Sequence, residues 1–266
     1  MTEFTIEHNG VRLSCRRCGQ GPYLIMIHGV ACDGHYFDEA AGYLQDMFTV
    51  VTYDRRGYSE STAAEDADMS VEMQAEDLAA IVHALGTERA YICGSSAGGL
   101  IAVEFLRRYP EKVTAMMIHE TPVGITEAYQ KWLDDWLSDM ESAVGEKKVL
   151  RAMITFIHEL GGVDKEAPFN ERWGQALENL KVFLYREMEN FLHYGNRLPK
   201  ESPDHSSVPV TVAAGREDIE GICSKYGKEV AAYLQADFMR VPGYHNLPYD
   251  RAEVFAKIVK EAFCER

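Results

Sequence analysis

Five residues near the middle of the chain, Gly94-Ser95-Ser96-Ala97-Gly98, read G-x-S-x-G between an apolar run, Ala90 to Cys93, and a segment of helical spacing that begins at Gly98. In that setting a serine stands on a sharp strand-to-helix turn, and glycines flank it because Cβ atoms there would collide with neighbouring chain. The spacing selects Ser96, not Ser95, as a nucleophile. A serine hydroxyl is weak until an imidazole takes its proton. Among the nine histidines, His245 in Pro242-Gly243-Tyr244-His245 follows the last strand-like run and precedes the last helix, in the order serine, acid, histidine that this turn expects. His8, His35, His83, His119, His158, His193 and His205 lie on loops or helices less well placed and take surface or structural roles by default. The chemistry is acyl transfer, which needs two preorganised N–H donors aimed at an oxyanion. Ala97, directly after the serine, supplies one, and Val30 of His28-Gly29-Val30, where the run Tyr23 to Ile27 ends, supplies the other. His28 itself reads as a structural hydrogen-bonding residue.

These residues need elements to hold them. Alternation in Phe4-Thr5-Ile6-Glu7 and Val11-Arg12-Leu13-Ser14 around Asn9-Gly10 predicts an opening hairpin. Continuous apolar runs at Tyr23 to Ile27, Thr49 to Tyr53, Ala90 to Cys93, Val113 to Ile118, Val208 to Ala213 and Phe238 to Val241 fit strands buried on both faces of a parallel sheet. Helical spacing lies between them, at Met73 to Leu85 and Gly98 to Arg108, and again at Ala252 to Phe263. The class is therefore α/β, a mostly parallel sheet with helices on both faces. From Pro122 to Pro203 no strand-like run occurs and the text reads as helices, so residues 122–203 are expected as a helical insertion into a core of 1–121 and 204–266. All three tryptophans, Trp132, Trp136 and Trp173, fall inside it. Tyr129, Trp132 and Trp136 form a stripe at helical spacing that either packs on the core or roofs a ligand pocket.

Composition narrows the partners. With 42 acidic and 27 basic residues among 266, the net charge is −15, and no lysine or arginine run offers the clustered cations that nucleic acid requires. No stretch approaches the roughly 18 apolar residues of a membrane span, and Met1 to Gly10 lacks a signal-peptide core, so a cytoplasmic protein is expected. Six cysteines are too few for a disulfide framework. Cys15 and Cys18 form a C-x-x-C, but no second ligand pair follows at zinc spacing, and no metal or cofactor is expected. A monomer or homodimer is compatible with the pattern.

With these residues in place, the chain resembles the α/β-hydrolase superfamily over nearly its whole length. Besides the serine turn, Tyr53-Asp54-Arg55-Arg56-Gly57-Tyr58-Ser59 is similar to that family's tyrosine-aspartate-x-arginine-glycine segment, and residues 122–203 look like its helical cap. The resemblance implies a Ser–His–acid triad and a loop-tying role for Asp54 and Arg55. It offers two acids. Asp218, in Gly215-Arg216-Glu217-Asp218 after the run Val208 to Ala213, holds the usual family position. Glu120, in His119-Glu120-Thr121-Pro122, resembles a branch that carries His-Glu-Pro-Pro there and uses the glutamate, with Thr121 replacing the first proline. Glu120 is placed slightly ahead. Aspartate-nucleophile relatives, the dehalogenases and epoxide hydrolases, are set apart by Ser96. The expected activity is hydrolysis of a small carboxylic ester or lactone with an apolar or aromatic acyl group. Alternatives are cleavage of a carbon–carbon bond in a β-diketone, or a ligand receptor of the same fold that turns over slowly. A perhydrolase activity has no feature in its favour. Activity is expected to fall as pH drops through about 6 to 7, where an ordinary histidine gains its proton.

Overall fold

The computed structural model describes residues 1–124, 172–201, 208–217 and 222–264, together with 127, 129–132, 134, 135 and 138. The hairpin forms as expected: β1 (Thr2–His8) and β2 (Val11–Gly19) pair antiparallel, His8 against Val11. Both turn residues take positive φ, Asn9 at 45° and Gly10 at 73°, the backbone that matches the right-handed twist of the flanking strands. β2 also pairs antiparallel with β4 (Thr49–Tyr53), and from there the sheet is parallel through β3 (Tyr23–Ile27), β5 (Ala90–Ser95), β6 (Val113–His119), β7 (Val210–Gly215) and β8 (Asp237–Val241).

Strand order is β1-β2-β4-β3-β5-β6-β7-β8. The chain leaves β3 to lay β4 on one side, then returns across it to lay β5 on the other. Ligands of open α/β sheets bind outside the carboxyl ends of the strands where the order reverses in this way. Here those ends are Ile27 and Ser95.

Alternate residues of each central strand feed two separate cores. Ile25, Ile27, Ile92, Met116, Ile118 and Val212 face one side, and Leu24, Met26, Cys93, Met117 and Ala213 the other. On the second side lie α1 (Asp38–Leu44) and, closing the sheet, α7 (Ala252–Cys264), whose Phe255, Ile258 and Val259 are buried. The first side is covered by α2 (Val71–Ala84), capped by the Ser70 hydroxyl on the Met73 N–H, by α3 (Ala97–Arg108) and by α6 (Ile222–Tyr233). Cys15 and Cys18 fall on opposite sides of β2, one in each core, so they do not share a ligand.

Within residues 122–203 the longest described parts are helical. They comprise α4 (Trp173–Val182), a π-helical turn (Phe183–Glu187), α5 (Met188–Leu192) and one further turn, Tyr194–Arg197. Leu180, Phe183 and Phe191 join the first core. Polar contacts also clamp this segment down: Arg172 to Asp33, Asn179 Nδ2 to the Cys32 carbonyl, Tyr194 Oη to Glu104 and Arg197 to Glu72. Among the described residues, no helix is long and apolar enough to cross a membrane.

Candidate active site

Strain marks the carboxyl edge of the sheet. Ala31 (φ 59°), Ser96 (φ 53°) and Glu120 (φ 51°) all sit in the left-handed region that side-chain-bearing residues avoid, each just beyond the end of a strand. For Ser96 the surroundings explain why the sequence needs glycines. A Cβ on Gly94 would lie 2.6 Å from the Gly98 carbonyl oxygen, and one on Gly98 would lie 2.1 Å from the carbonyl oxygen of Ile27. The turn is packed directly against the end of β3. A Cβ on Gly29 would meet Ser96 itself, 2.8 Å from its Cβ and 3.3 Å from its Oγ, so the His28-Gly29-Val30 segment lies against the serine. Ala97 opens α3, and the N-terminal end of a helix favours negative charge.

The next strand leads to Glu120. The Ser96 N–H donates to the His119 carbonyl at 2.9 Å, continuing the β5–β6 ladder one step past the strands, and Glu120 follows directly. Glu120 is 3% exposed and fully occupied. Its Oε1 accepts from the Gly215 N–H and from Ser224 Oγ at 3.0 Å, and its Oε2 lies 3.3 Å from His245 Nδ1. Burial alone would raise the pKa of this carboxyl, but the hydrogen bond from His245, electrostatic attraction toward the His245 and His119 rings and the Gly215 N–H outweigh it and hold the pKa below the usual glutamate value. Glu120 is therefore a carboxylate at neutral pH, and its pairing orients the His245 ring. On the loop after β8, the Gly243 N–H donates to Glu217, tying the histidine loop to the end of β7.

His28 is a structural residue here. The Arg55 backbone N–H donates to its Nε2 at 3.0 Å, so Nδ1 carries the proton and donates to the Gly29 carbonyl at 2.8 Å. Burial first, then the Arg55 charge, pushes the His28 pKa down to about 3. His119 is likewise buried and pushed down to about 4 by burial, with Ser95 Oγ 3.1 Å from its Nδ1.

Of the residues singled out from sequence, the structure brings Ser96, Ala97, Val30, Glu120 and His245 to one edge of the sheet. Asp218 and Trp136 lie outside the described residues. Tyr129 is buried in the first core, its hydroxyl donating to the Pro122 carbonyl at 3.0 Å and its ring edge-on to Tyr226, with Trp132 partly buried beside it. Among the described residues, one grouping could hold a metal by proximity: Glu120, Cys223 and His245, with ligand atoms within 4.8 Å of one another. Its chemistry is unsuited to an ion, because burial and the Glu120 charge hold the Cys223 thiol protonated, well above its usual range. Sequence reasoning missed Ser224 and Gly215 as partners of Glu120. It also missed Thr121, against which a Cβ on Gly99 would press at 1.8 Å from Oγ1, although the double glycine Gly98-Gly99 was a visible signal of close approach.

Comparison with known proteins bears on the family and the fold. A family described as alpha/beta hydrolase fold matches residues 22–218. YraK of Bacillus subtilis (strain 168), an uncharacterized hydrolase, is 27% identical over 246 residues, covering 91% of this chain and 88% of its own. Among solved structures, ALR0039 of Nostoc sp PCC 7120 superposes with a TM-score of 0.80 at 18% identity, covering 100% of this chain and 98% of the other. A thermophilic esterase of Thermogutta terrifontis superposes with a TM-score of 0.71 at 21% identity, covering 98% and 97%. At these identities the structural likeness speaks for the fold.

Proposed function

This chain belongs to the alpha/beta hydrolase family and is a hydrolase of that fold, and from that premise we propose that it cleaves a small carboxylic ester or lactone through an acyl-enzyme on Ser96. The observation that carries the reading is the buried Glu120–His245 pair one ladder step from a serine held at φ 53°. In the proposed reaction Glu120, ionised and fixed by Gly215 and Ser224, accepts from His245 Nδ1–H and leaves Nε2 as the basic nitrogen. His245 takes the Ser96 proton as Oγ attacks the carbonyl carbon, then returns it to the leaving alcohol or alkoxide oxygen. The tetrahedral oxyanion is held by the N–H groups of Ala97 and Val30. Water, deprotonated by the same histidine, then attacks the acyl-enzyme and releases the acid.

Residues 122–203 act as the cap in this reading, and the aromatic content of that segment, Trp132 and Trp136 included, suits an apolar acyl group. The esterase of T. terrifontis shows that the same fold supports ester hydrolysis. Intact mass after exposure to a fluorophosphonate, beside a folded Ser96→Ala variant, tests the proposal. One adduct on the native chain and none on the variant is the expected result. A panel of small esters, lactones and β-diketones then reads out the bond, and preferential cleavage of the diketone would replace the ester assignment with carbon–carbon hydrolysis. Absence of an adduct on the native chain would refute an activated serine and favour a ligand receptor.

A further inference from the structure

The peptide that offers the second oxyanion donor is gripped from behind. Its carbonyl, that of Gly29, accepts from His28 Nδ1 at 2.8 Å and from Arg55 Nη2 at 3.3 Å, while the Arg55 backbone N–H holds the other nitrogen of His28 at 3.0 Å. In a trans peptide the C=O and the following N–H point in opposite directions. Holding the Gly29 carbonyl inward therefore aims the Val30 N–H outward, from a segment already in contact with Ser96. Residue 55 sets this direction twice, once through its backbone and once through its guanidinium.

The guanidinium is in turn held by the inserted helical segment. Arg55 Nη1 donates to both oxygens of Glu187, at 3.0 and 3.2 Å, with both side chains fully buried. Glu187 also accepts from Gln74 Nε2 at 2.8 Å and from the Tyr58 hydroxyl at 2.5 Å. The Arg55 plane lies 4.2 Å from the Tyr58 ring centroid and 5.3 Å from that of Phe191. Glu187 closes the π-helical turn Phe183–Glu187, a local widening of the helix found mostly where a side chain must be delivered to a functional place. A buried carboxylate carrying four donor contacts is well beyond what packing one helix on a core requires.

We propose that Glu187 and Arg55 are positioning residues that hold the Val30 N–H toward the oxyanion, so that the inserted helical segment governs the reactivity of Ser96 through this pair. The inference rests on the proposed role of Val30 as an oxyanion donor. It assigns Arg55 more than loop tying, because the guanidinium links residues 29, 74 and 187 and the last of these belongs to the insertion. Seating of the π-helical turn would thus be sensed by the nucleophile without any of its side chains reaching the substrate.

The test measures the rate constant of fluorophosphonate labelling for the native chain, Arg55→Lys, Glu187→Gln and Arg197→Ala. Arg55→Lys keeps the charge facing Glu187 but loses the planar fork that reaches Gly29 as well. Glu187→Gln keeps the shape and weakens the grip on Arg55. Loss of a single oxyanion donor costs roughly 10²- to 10³-fold in rate, so misaiming one is expected to slow labelling by roughly 10- to 100-fold in both variants. With any ester that is turned over, kcat should fall by the same factor while KM stays within about twofold, as for an interaction made only in the transition state. An arylboronate, which forms a tetrahedral adduct on an activated serine, should bind more weakly in proportion. Arg197→Ala removes a surface clamp of the same segment, on Glu72, without touching Gly29, and should label at the native rate. If Arg55→Lys or Glu187→Gln does not fold, the double variant Arg55→Met, Glu187→Met leaves no buried charge unpaired and should show the same slowing. Native-rate labelling of the Arg55 and Glu187 variants, or equal slowing in Arg197→Ala, overturns the positioning role and leaves the Ser96 chemistry standing. No labelling of the native chain overturns the Ser96 chemistry itself.

Discussion

Two buried neutral histidines beside the site should make stability fall steeply on mild acidification, and replacing one of them should halve the slope. His28 accepts the Arg55 N–H at Nε2, so a second proton has no room there, and burial followed by the Arg55 and Arg16 charges outweighs the opposing pull of Asp33 and the Gly29 carbonyl. His119 Nε2 is buried without a partner among the described residues, and burial with the His245 charge outweighs the attraction of Glu120. Their pKa values fall from 6.5 to about 3 and about 4 respectively. Both are depressed, so the unfolded chain binds protons that the folded chain refuses. Stability is fully present above about pH 6.5 and declines as pH falls toward the folded values. Each proton contributes about 1.4 kcal/mol per pH unit, so two give a slope of roughly 3 kcal/mol per unit and a loss of about 6 kcal/mol by pH 4. That is comparable to the whole stability of a typical domain, roughly 5 to 15 kcal/mol, so unfolding is expected near pH 4. Urea titrations followed by circular dichroism at half-unit steps from pH 8 to 4.5 measure the slope directly. His119→Asn keeps a polar group near Ser95 and should unfold with a slope of roughly 1.4 kcal/mol per unit, whatever its stability at pH 8. Equal slopes in the native and variant chains, or stability that is flat between pH 6.5 and 5, would refute the assignment of buried neutral imidazoles. Glu120, depressed in the carboxylate range, adds to the fall only at lower pH, where it must be protonated.

Three further outcomes are expected. Glu120→Gln should lower kcat by roughly 10²- to 10⁴-fold with little change in KM, because a neutral amide neither stabilises the imidazolium nor enforces its tautomer; steady-state kinetics on the best substrate of the ester panel reads this out. Gly98→Ala would place a Cβ 2.1 Å from the Ile27 carbonyl oxygen, a backbone atom that cannot swing away, and should cost about 3 kcal/mol or more by urea unfolding and abolish labelling of Ser96. Gly42→Ala, within α1 with nothing within 4 Å of the added Cβ, should instead raise stability by about 0.5 to 1 kcal/mol and leave labelling unchanged.

The readable parts of this protein are those whose geometry is set within a few residues. The hairpin follows from Asn9-Gly10 because only such residues accept positive φ at both turn positions cheaply. Strands β3 to β7 follow from continuous apolar runs, because a strand covered on both faces needs no polar alternation. Ser96 and Ala97 follow from glycine spacing in a strand-turn-helix, and the order of elements along the chain places His245 and Val30 at strand ends. Glu120 could be proposed only by resemblance. Its surroundings are assembled from Gly215 and Ser224, 95 and 104 positions away, and from His245, 125 away, brought together by the adjacency of β6 and β7. Arg55 and Glu187, 132 positions apart, leave no local signature at all, since neither periodicity nor turn chemistry distinguishes a buried charge with a distant partner from a solvated one. Sequence alone thus determined which elements form and which residues stand at their ends. The tertiary structure put Glu120 beside His245 and tied Arg55 to both Gly29 and Glu187, because hydrogen bonds between distant segments exist only once the order of the sheet has put their ends side by side.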